Sequence, residues 1–431
     1  MKRFYLGITL LLPMILSAQS QLTLKNAIDT ALKNNYDIQI AKNYVKIAET
    51  GNNYGMAGGL PFISANASDN YVSNNTLQKY NTGIETNSTD IIGNNYNAAL
   101  TANIVLFNGF KVLATKKQLS YLQKQSEIGL NGQIQSTIAN VMMKYYDVIR
   151  QQALLKITQN SLDVSQKKLE IINVKDKVGM ANAAITMQAQ SDVNTATQNL
   201  TLQQLQINQA KADLLTLINA KSNTTYIFND SIQIDPNLAL DNILQFLQQN
   251  PQLQLAEQQI KINEQLLKVA SAQKYPSLKL NAAYNLTGYN NNDGYNLFYQ
   301  NYGPTAGLSL QLPLFNGNVY HTQKSIAKIN LYNANLEKES LFSSLKNTVT
   351  NKYQTYTTTL NQIESQKQNY DLAQKLVDIV LQNFQHGQAN ILELKAAQTT
   401  YENAAYQLVS FQFNAKMAEI ELKQLIYQLS Y

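Results

Sequence analysis

Cysteine and tryptophan are both absent from the 431 residues. Without cysteine there are no disulfides, no thiolate metal sites and no N-terminal cysteine to carry a lipid. Histidine occurs only at His321 and His386, and charged residues make up 14% of the chain. Two histidines form no HExxH pair, and neither a phosphate-cradling glycine loop followed by lysine nor a nucleophile elbow occurs. No catalysis, cofactor or metal site is therefore expected. The net charge of +6 comes without a basic run or aromatic–basic interleaving, so nucleic acid is not an expected partner. No apolar run reaches the roughly 20 residues of a membrane-spanning helix. If the chain enters a membrane, it must do so as a closed β-barrel, the other architecture that satisfies every backbone group.

What is present begins with an address. Lys2 and Arg3 precede an uncharged, largely apolar run over residues 4–16, followed by Ser17-Ala18-Gln19-Ser20. A basic start, a short apolar stretch and small residues behind it describe a secretory signal peptide over residues 1–20, with cleavage after Ala18 or Ser20.

The remainder reads as one unit written twice. Asn35-Tyr36-Asp37-Ile38-Gln39-Ile40-Ala41 resembles Asn250-Pro251-Gln252-Leu253-Gln254-Leu255-Ala256, a shift of 215, and the same shift carries Pro61 onto Pro276. Leu106-Phe107-Asn108-Gly109 recurs as Leu314-Phe315-Asn316-Gly317, and Gly179-Met180-Ala181-Asn182 as Gly387-Gln388-Ala389-Asn390, both shifted by 208. Four landmarks in one order mark a duplication. The change of seven places a longer loop in the first copy, between Pro61 and Phe107. The expected organisation is a first repeat over 21–219, an inter-repeat segment over 220–241 and a second repeat over 242–431.

Each repeat reads helix, strand, loop, strand, very long helix, turn, long helix. Strands are expected at 61–73, 94–107, 276–288 and 302–315, with strict alternation in the last three. Leu308, Leu310, Leu312 and Leu314 oppose Gly307, Ser309 and Gln311; Ala98, Leu100 and Ala102 oppose Asn97, Thr101 and Asn103. Such alternation suits lipid on one face and water on the other, and equally a half-exposed strand of a soluble sandwich.

The helices carry an unbroken heptad. Phe342, Val349, Tyr356, Ile363, Tyr370, Val377 and Phe384 recur every seven residues, and 208 positions earlier stand Ile134, Val141, Val148, Leu155, Leu162 and Leu169. In the returning helices Ala189, Val193, Ala196 and Leu200 match Ala397, Tyr401, Ala404 and Leu408. A sustained heptad specifies a left-handed coiled coil. Residues 113–178 and 319–386, as unbroken helix, each extend about 100 Å. The acid pair Glu419 and Glu421 is expected on the coiled-coil surface. Four strands cannot close a barrel that needs about eight, so copies of the chain must pool their strands. A trimer supplies twelve; a dimer also satisfies the count.

The leader, the duplicated strand-pair and hairpin unit, and these landmarks together resemble the TolC family of outer-membrane efflux proteins over roughly residues 22–429. The carrying residues are Pro61 and Pro276, the Phe-Asn-Gly junctions at Phe107 and Phe315, and the tips Val178-Gly179 and His386-Gly387. Each tip is followed ten residues later by Ala-Gln, at Ala189 and Ala397. The resemblance implies a homotrimer with a twelve-stranded barrel in the outer membrane and a helical periplasmic tunnel. It implies a periplasmic adaptor as partner and, through the adaptor, an inner-membrane transporter. It places two sets of residues at the adaptor-docking tips: Val178, Gly179, Met180, Ala181 and Asn182, and His386, Gly387, Gln388, Ala389 and Asn390. In the family an acidic residue often stands six positions past the tip glycine, with another three further on in some members, ringing a lumen constriction. Here the first position holds Ile185 or Glu393 and the second Gln188 or Ala396, which leaves Glu393 alone as the constriction candidate. The basic residue four before the tip glycine is Lys175 in one copy and Asn383 in the other. The segment between the repeats is expected to pack outside the tunnel. Two other readings compete. A periplasmic adaptor carries one hairpin flanked by compact β domains. A structural coiled-coil envelope protein leaves the strand pairs unexplained.

Overall fold

The computed structural model describes residues 20–220, 226–294 and 296–429, so the expected signal peptide lies outside the described residues except for Ser20. In chain order the elements are β1 (Ser20–Gln21), α1 (Leu24–Asn34), α2 (Tyr36–Gly51), β2 (Phe62–Lys79), β3 (Glu85–Phe107), α3 (Lys111–Lys177) and α4 (Ala183–Leu217). There follow β4 (Tyr226–Ile227), α5 (Leu240–Phe246), α6 (Pro251–Ala272), β5 (Ser277–Asn291), β6 (Phe298–Gln311), α7 (Val319–Gln385) and α8 (Ile391–Leu425). The succession α2-β2-β3-α3-α4 reappears as α6-β5-β6-α7-α8. Both long outgoing helices have 67 residues and both returning helices 35.

The described residues form two compact units, one within the spans 1–42, 129–253 and 341–431, the other within 43–128 and 254–340. In the first unit the heptad seam is the core. Val141, Val148, Val349 and Tyr356 are fully buried or nearly so, as are Ala189, Ala397 and Ala415 on the returning helices. Alanine there lets two helix backbones approach closely. The ends of the short helices are tied by a device that the repeat preserves. Asn35 accepts from the backbone N–H groups of Asp37 (2.9 Å) and Ile38 (3.2 Å) and donates to the Leu217 carbonyl (3.0 Å). Asn250 accepts from Gln252 N–H (2.8 Å) and donates to the Leu425 carbonyl (2.9 Å). One amide side chain thus caps the start of one helix and the end of another, satisfying backbone groups that helix termini leave open.

The inter-repeat segment packs against both cores. Phe228 is buried with Ile138, Tyr145 and Leu214, while Ile234, Leu238 and Leu240 pack, partly buried, against the cluster of Val349, Tyr356 and Leu422. The expectation for the acid pair fails in part. Glu421 is a surface partner of Lys352 (2.5 Å), but Glu419 is buried. Its carboxylate takes both Lys416 (3.0 Å) and Lys423 (2.8 Å) and accepts the Asp235 backbone N–H (3.0 Å). The sequence shows Lys416, Glu419 and Lys423 as an ordinary i,i+3/i+4 surface run; the segment at Asp235 folds over it and turns it inward.

In the second unit the strands form one antiparallel sheet in the order β2-β3-β5-β6. The expected longer loop in the first copy is instead longer strand: β2 and β3 pair on to Lys79↔Glu85, closed by a five-residue turn. Beyond Ser73 polar residues occupy both faces, with Leu77 and Ile91 as isolated exceptions, so alternation vanishes while backbone pairing persists. A register break near Asn75, whose side chain accepts the Asp90 backbone N–H at 2.7 Å, absorbs the irregularity. At the other end β6 stops at Gln311, short of Leu312 and Leu314. A bulge at Leu106 brings Phe107 opposite Leu278.

Candidate functional site

Two regions carry candidate function, the faces and edges of the sheet and the tips of the hairpins. In an antiparallel sheet directly paired residues share a face. The register Ala65↔Leu100↔Tyr284↔Pro304 and its neighbour Ala67↔Ala98↔Leu286↔Tyr302 therefore run across one apolar face. The alternate rows are polar. Ser64 and Thr101 hydroxyls meet at 2.9 Å, and Asn285 donates to Thr305 at 3.2 Å. The apolar face is uncovered: Leu100, Tyr284, Tyr302 and Leu308 are all more than half exposed. Within the chain the outer strands β2 and β6 each pair on one side only. Long edges and an uncovered apolar face are a liability for a protein in water. Among the described residues no helix is long and apolar enough to cross a membrane.

At the first tip α3 ends where Met180 N–H bonds the Lys175 carbonyl (2.7 Å). At the second, α7 ends where Gln388 N–H bonds the Asn383 carbonyl (2.8 Å). This is a Schellman-type closure, and it needs a left-handed residue. Gly179 (φ 75°) and Gly387 (φ 76°) supply it. The next helices start on Asn182, which accepts from Ile185 N–H (3.0 Å), and Asn390, which accepts from Glu393 N–H (3.0 Å). Each of the ten tip residues therefore lies in, or next to, a tight reversal. Val178 and Met180 are two-thirds and three-quarters exposed, His386 and Gln388 are exposed, and Ala181 and Ala389 pack partly against Ile172 and Leu394.

Glu393 is exposed, and its carboxylate accepts the Asn390 backbone N–H at 3.0 Å. That completes a capping box, which gives the acid a local reason to stand three residues after the cap. Lys175 donates to the Phe384 carbonyl (2.8 Å) and lies 4.5 Å from that ring's centre. A cation at this place satisfies the C-terminus of α7, joining the two hairpins just behind their tips.

Sequence reasoning missed the polar groups buried a few turns behind the tips. Lys168, only 1% exposed, forms an ion pair with Asp192, which also receives Gln188 (3.0 Å) and Lys395 (3.3 Å). Burial pushes the Asp192 carboxyl upward, but the bonds from Lys168 and Gln188 and the nearby positive charges outweigh it. The net result lies below the ordinary carboxylate value. Gln398, also buried, donates to the Ser161 carbonyl (3.2 Å) and to the hydroxyls of Ser161 (2.9 Å) and Ser165 (3.1 Å). The signal available was heptad phase: with Leu162 and Leu169 in the seam, Ser161, Ser165 and Lys168 sit on its flank.

Comparison with known proteins gives one answer throughout. The family model described as outer membrane efflux protein matches residues 27–220 and 242–426. Toxin and drug export protein A of Aggregatibacter actinomycetemcomitans is 21% identical over 403 residues, 92% of this chain and 84% of that protein. Outer membrane protein TolC of Escherichia coli is 22% identical over 371 residues, 81% of this chain and 71% of that one. Among solved structures, the outer membrane protein VceC of Vibrio cholerae superposes with a TM-score of 0.77 at 17% identity, covering 94% of this chain and 95% of that chain. A likeness at that identity shows the fold.

Proposed function

Because the chain belongs to the outer membrane efflux protein family, and so works in efflux at the outer membrane, we propose that three copies pool their strands into a twelve-stranded transmembrane barrel. The carrying observation is the sheet with one apolar and one polar face and two open edges. Joining β2 of one copy to β6 of the next satisfies both edges and turns the apolar rows to lipid and the Ser, Thr and Asn rows to a water-filled lumen. The hairpins of three chains make the periplasmic tunnel, with the inter-repeat segment on its outside. Exposed apolar residues spaced for one helix face, Tyr36, Ile40, Tyr44 and Ile47 on α2 and Leu372, Leu376 and Ile379 on α7, supply contact between copies.

Residues 178–182 and 386–390 dock a periplasmic adaptor, which connects the channel to an inner-membrane transporter. Val178 and Met180, rigidly presented by a capped reversal, are the apolar anchors of that contact. Glu393 from each copy faces the lumen constriction. Three converging carboxylates repel one another, so cations are favoured there and each carboxylate also steadies its own helix start. The domain plan follows the repeats, with residues 21–219 and 242–431 as equivalent halves about the 220–241 connection and residues 1–20 removed on export.

The experiment is the oligomeric mass of protein extracted from outer membranes in mild detergent, together with its single-channel conductance. A mass of three chains with discrete conductance steps, altered in Glu393→Ala, is expected. A soluble, non-conducting monomer moves the periplasmic adaptor reading to first place.

A further inference from the structure

Below the sheet, in the same compact unit, the start of α3 and the end of α6 enclose a groove of about 370 Å³ lined by Phe110, Leu113, Lys117, Lys268, Ala272 and Tyr275, among others. Its floor is apolar. Gly109 lies so close to α6 that an added Cβ would stand 2.7 Å from the Ala272 carbonyl oxygen and from Tyr275. Gly109 (φ 67°) and Phe110 (φ 66°) are both left-handed, a turn that swings the Phe110 ring out to two-thirds exposure. The groove opens on the apolar side of the sheet. Phe107 pairs with Leu278, which pairs with Leu310 on the apolar face, and the Phe110 ring meets the Phe107 ring edge-on at 5.3 Å.

Charge at this place is mainly basic, although the exposed Glu264 stands one turn before Lys268 on α6. Residues 91–126 and 265–292 contain no Asp or Glu, while Lys111, Lys116, Lys117 and Lys124 fall in the first stretch and Lys268, Lys274 and Lys279 in the second. Lys124 pairs with Glu127 (2.9 Å), and Lys116 donates to Asn52 (2.6 Å). Lys117 and Lys268 are exposed at the groove, and among the described residues neither has a carboxylate within ion-pair distance.

We infer that this groove holds an anionic phospholipid of the periplasmic leaflet of the outer membrane. The phosphate lies between Lys117 and Lys268, the glycerol against Phe110 and Tyr275, and the acyl chains rise along Phe107, Leu278 and Leu310. The inference rests on the barrel reading, which puts lipid against the apolar rows. Its own support is charge complementarity and the unbroken run of apolar surface from groove to sheet. Lysines near an anionic surface contribute favourably and flank apolar area with their stems, and exposed aromatic rings at the edge of an apolar band mark a membrane interface.

The test is native mass spectrometry of the full-length oligomer in detergent, titrated with phosphatidylglycerol or phosphatidylcholine, with conductance recorded on the same samples. Wild type retains phosphatidylglycerol in preference to phosphatidylcholine. Lys117→Gln/Lys268→Gln lowers phosphatidylglycerol retention on the order of tenfold without moving phosphatidylcholine, and Lys117→Arg/Lys268→Arg restores it. A conducting oligomer that shows no preference between the two lipids, or a Gln variant that binds like wild type, overturns the lipid site and leaves the channel standing. An absence of conductance and of both lipids overturns the channel reading and the site with it.

Discussion

In the first hairpin a buried lysine on α3, Lys168, reaches Asp192 on α4; at the matching places of the second, 208 residues on, stand Leu376, half exposed, and Thr400. In the second hairpin Gln398 is buried and bonded to two serines of α3, whereas its counterpart Gln190 is exposed and reaches only Asn194 on its own helix, at 3.3 Å. Yet the tip glycines, the capping asparagines, the seam alanines and the helix lengths agree between the copies. The elements that fix the backbone have stayed alike, and the polar cross-links have diverged. A seam position asks only for apolar volume of the right size, so one residue satisfies it alone. A buried ion pair needs both partners at once, since one without the other is a desolvated charge, so the pair in the first copy places no demand on the second. α3 carries polar cross-links to both α4 and α8, and Lys395 of α8 also reaches Asp192 of α4 directly, so the two hairpins are joined around that pair.

The comparison can be broken most forcefully at Asp192. Asp192→Asn leaves Lys168 buried without its counter-charge and should cost about 3–5 kcal/mol of stability, while Thr400→Val at the matching place stays within about 0.5 kcal/mol. Urea unfolding of the detergent-solubilised protein measures both, and equal losses would refute the asymmetry. The same pair predicts an acid dependence. Because folding lowers the Asp192 pKa from its ordinary 3.8, the unfolded chain binds more protons in acid. The contribution is complete above that value and is lost as pH falls through the folded pKa; in Asp192→Asn this loss should disappear from the unfolding curve.

Seam substitutions sharpen the other half of the comparison. Ala189→Leu and Ala397→Leu both overpack a buried helix contact and should each cost about 1–3 kcal/mol, equally within error; a large difference would mean that the seams are not equivalent. Gln398→Ala removes a buried donor from its serine acceptors and should cost about 1–2 kcal/mol, against less than about 0.5 for Gln190→Ala. Smallest are the caps. Asn390→Ala should lower the thermal midpoint somewhat more than Asn182→Ala, by an energy of about 1 kcal/mol or less, because only the second tip has the reciprocal Glu393 bond.

Most of the fold was legible because it is periodic. The long helices end within two residues of their expected places, at Lys111, Lys177, Val319 and Gln385, since a heptad, a Phe-Asn-Gly junction and a tip glycine bound each of them. The strand alternation gave the two faces for the same reason. The hairpin beyond Ser73 was not legible: where both faces meet water, pairing rests on backbone bonds that leave no mark in hydropathy. Glu419 and Lys168 escaped too, because their burial depends on a segment or helix far away in sequence. The Glu393 spacing was read through the family resemblance, and the capping box supplies a second, local cause for the same residue.

The claim beneath the whole account is that the open edges β2 and β6 are closed by neighbouring copies. The chain lacks cysteine, so introduced pairs report without background. Ala67→Cys on β2 would be combined in turn with single cysteines along β6, such as Tyr302→Cys or Leu308→Cys, and oxidised in outer membranes. Within one chain these positions lie three strand spacings apart, roughly 14 Å, beyond the reach of a disulfide. The account predicts that one register gives covalent dimers and trimers and nothing larger. Monomer at every β6 position, or a ladder running past the trimer, would contradict it.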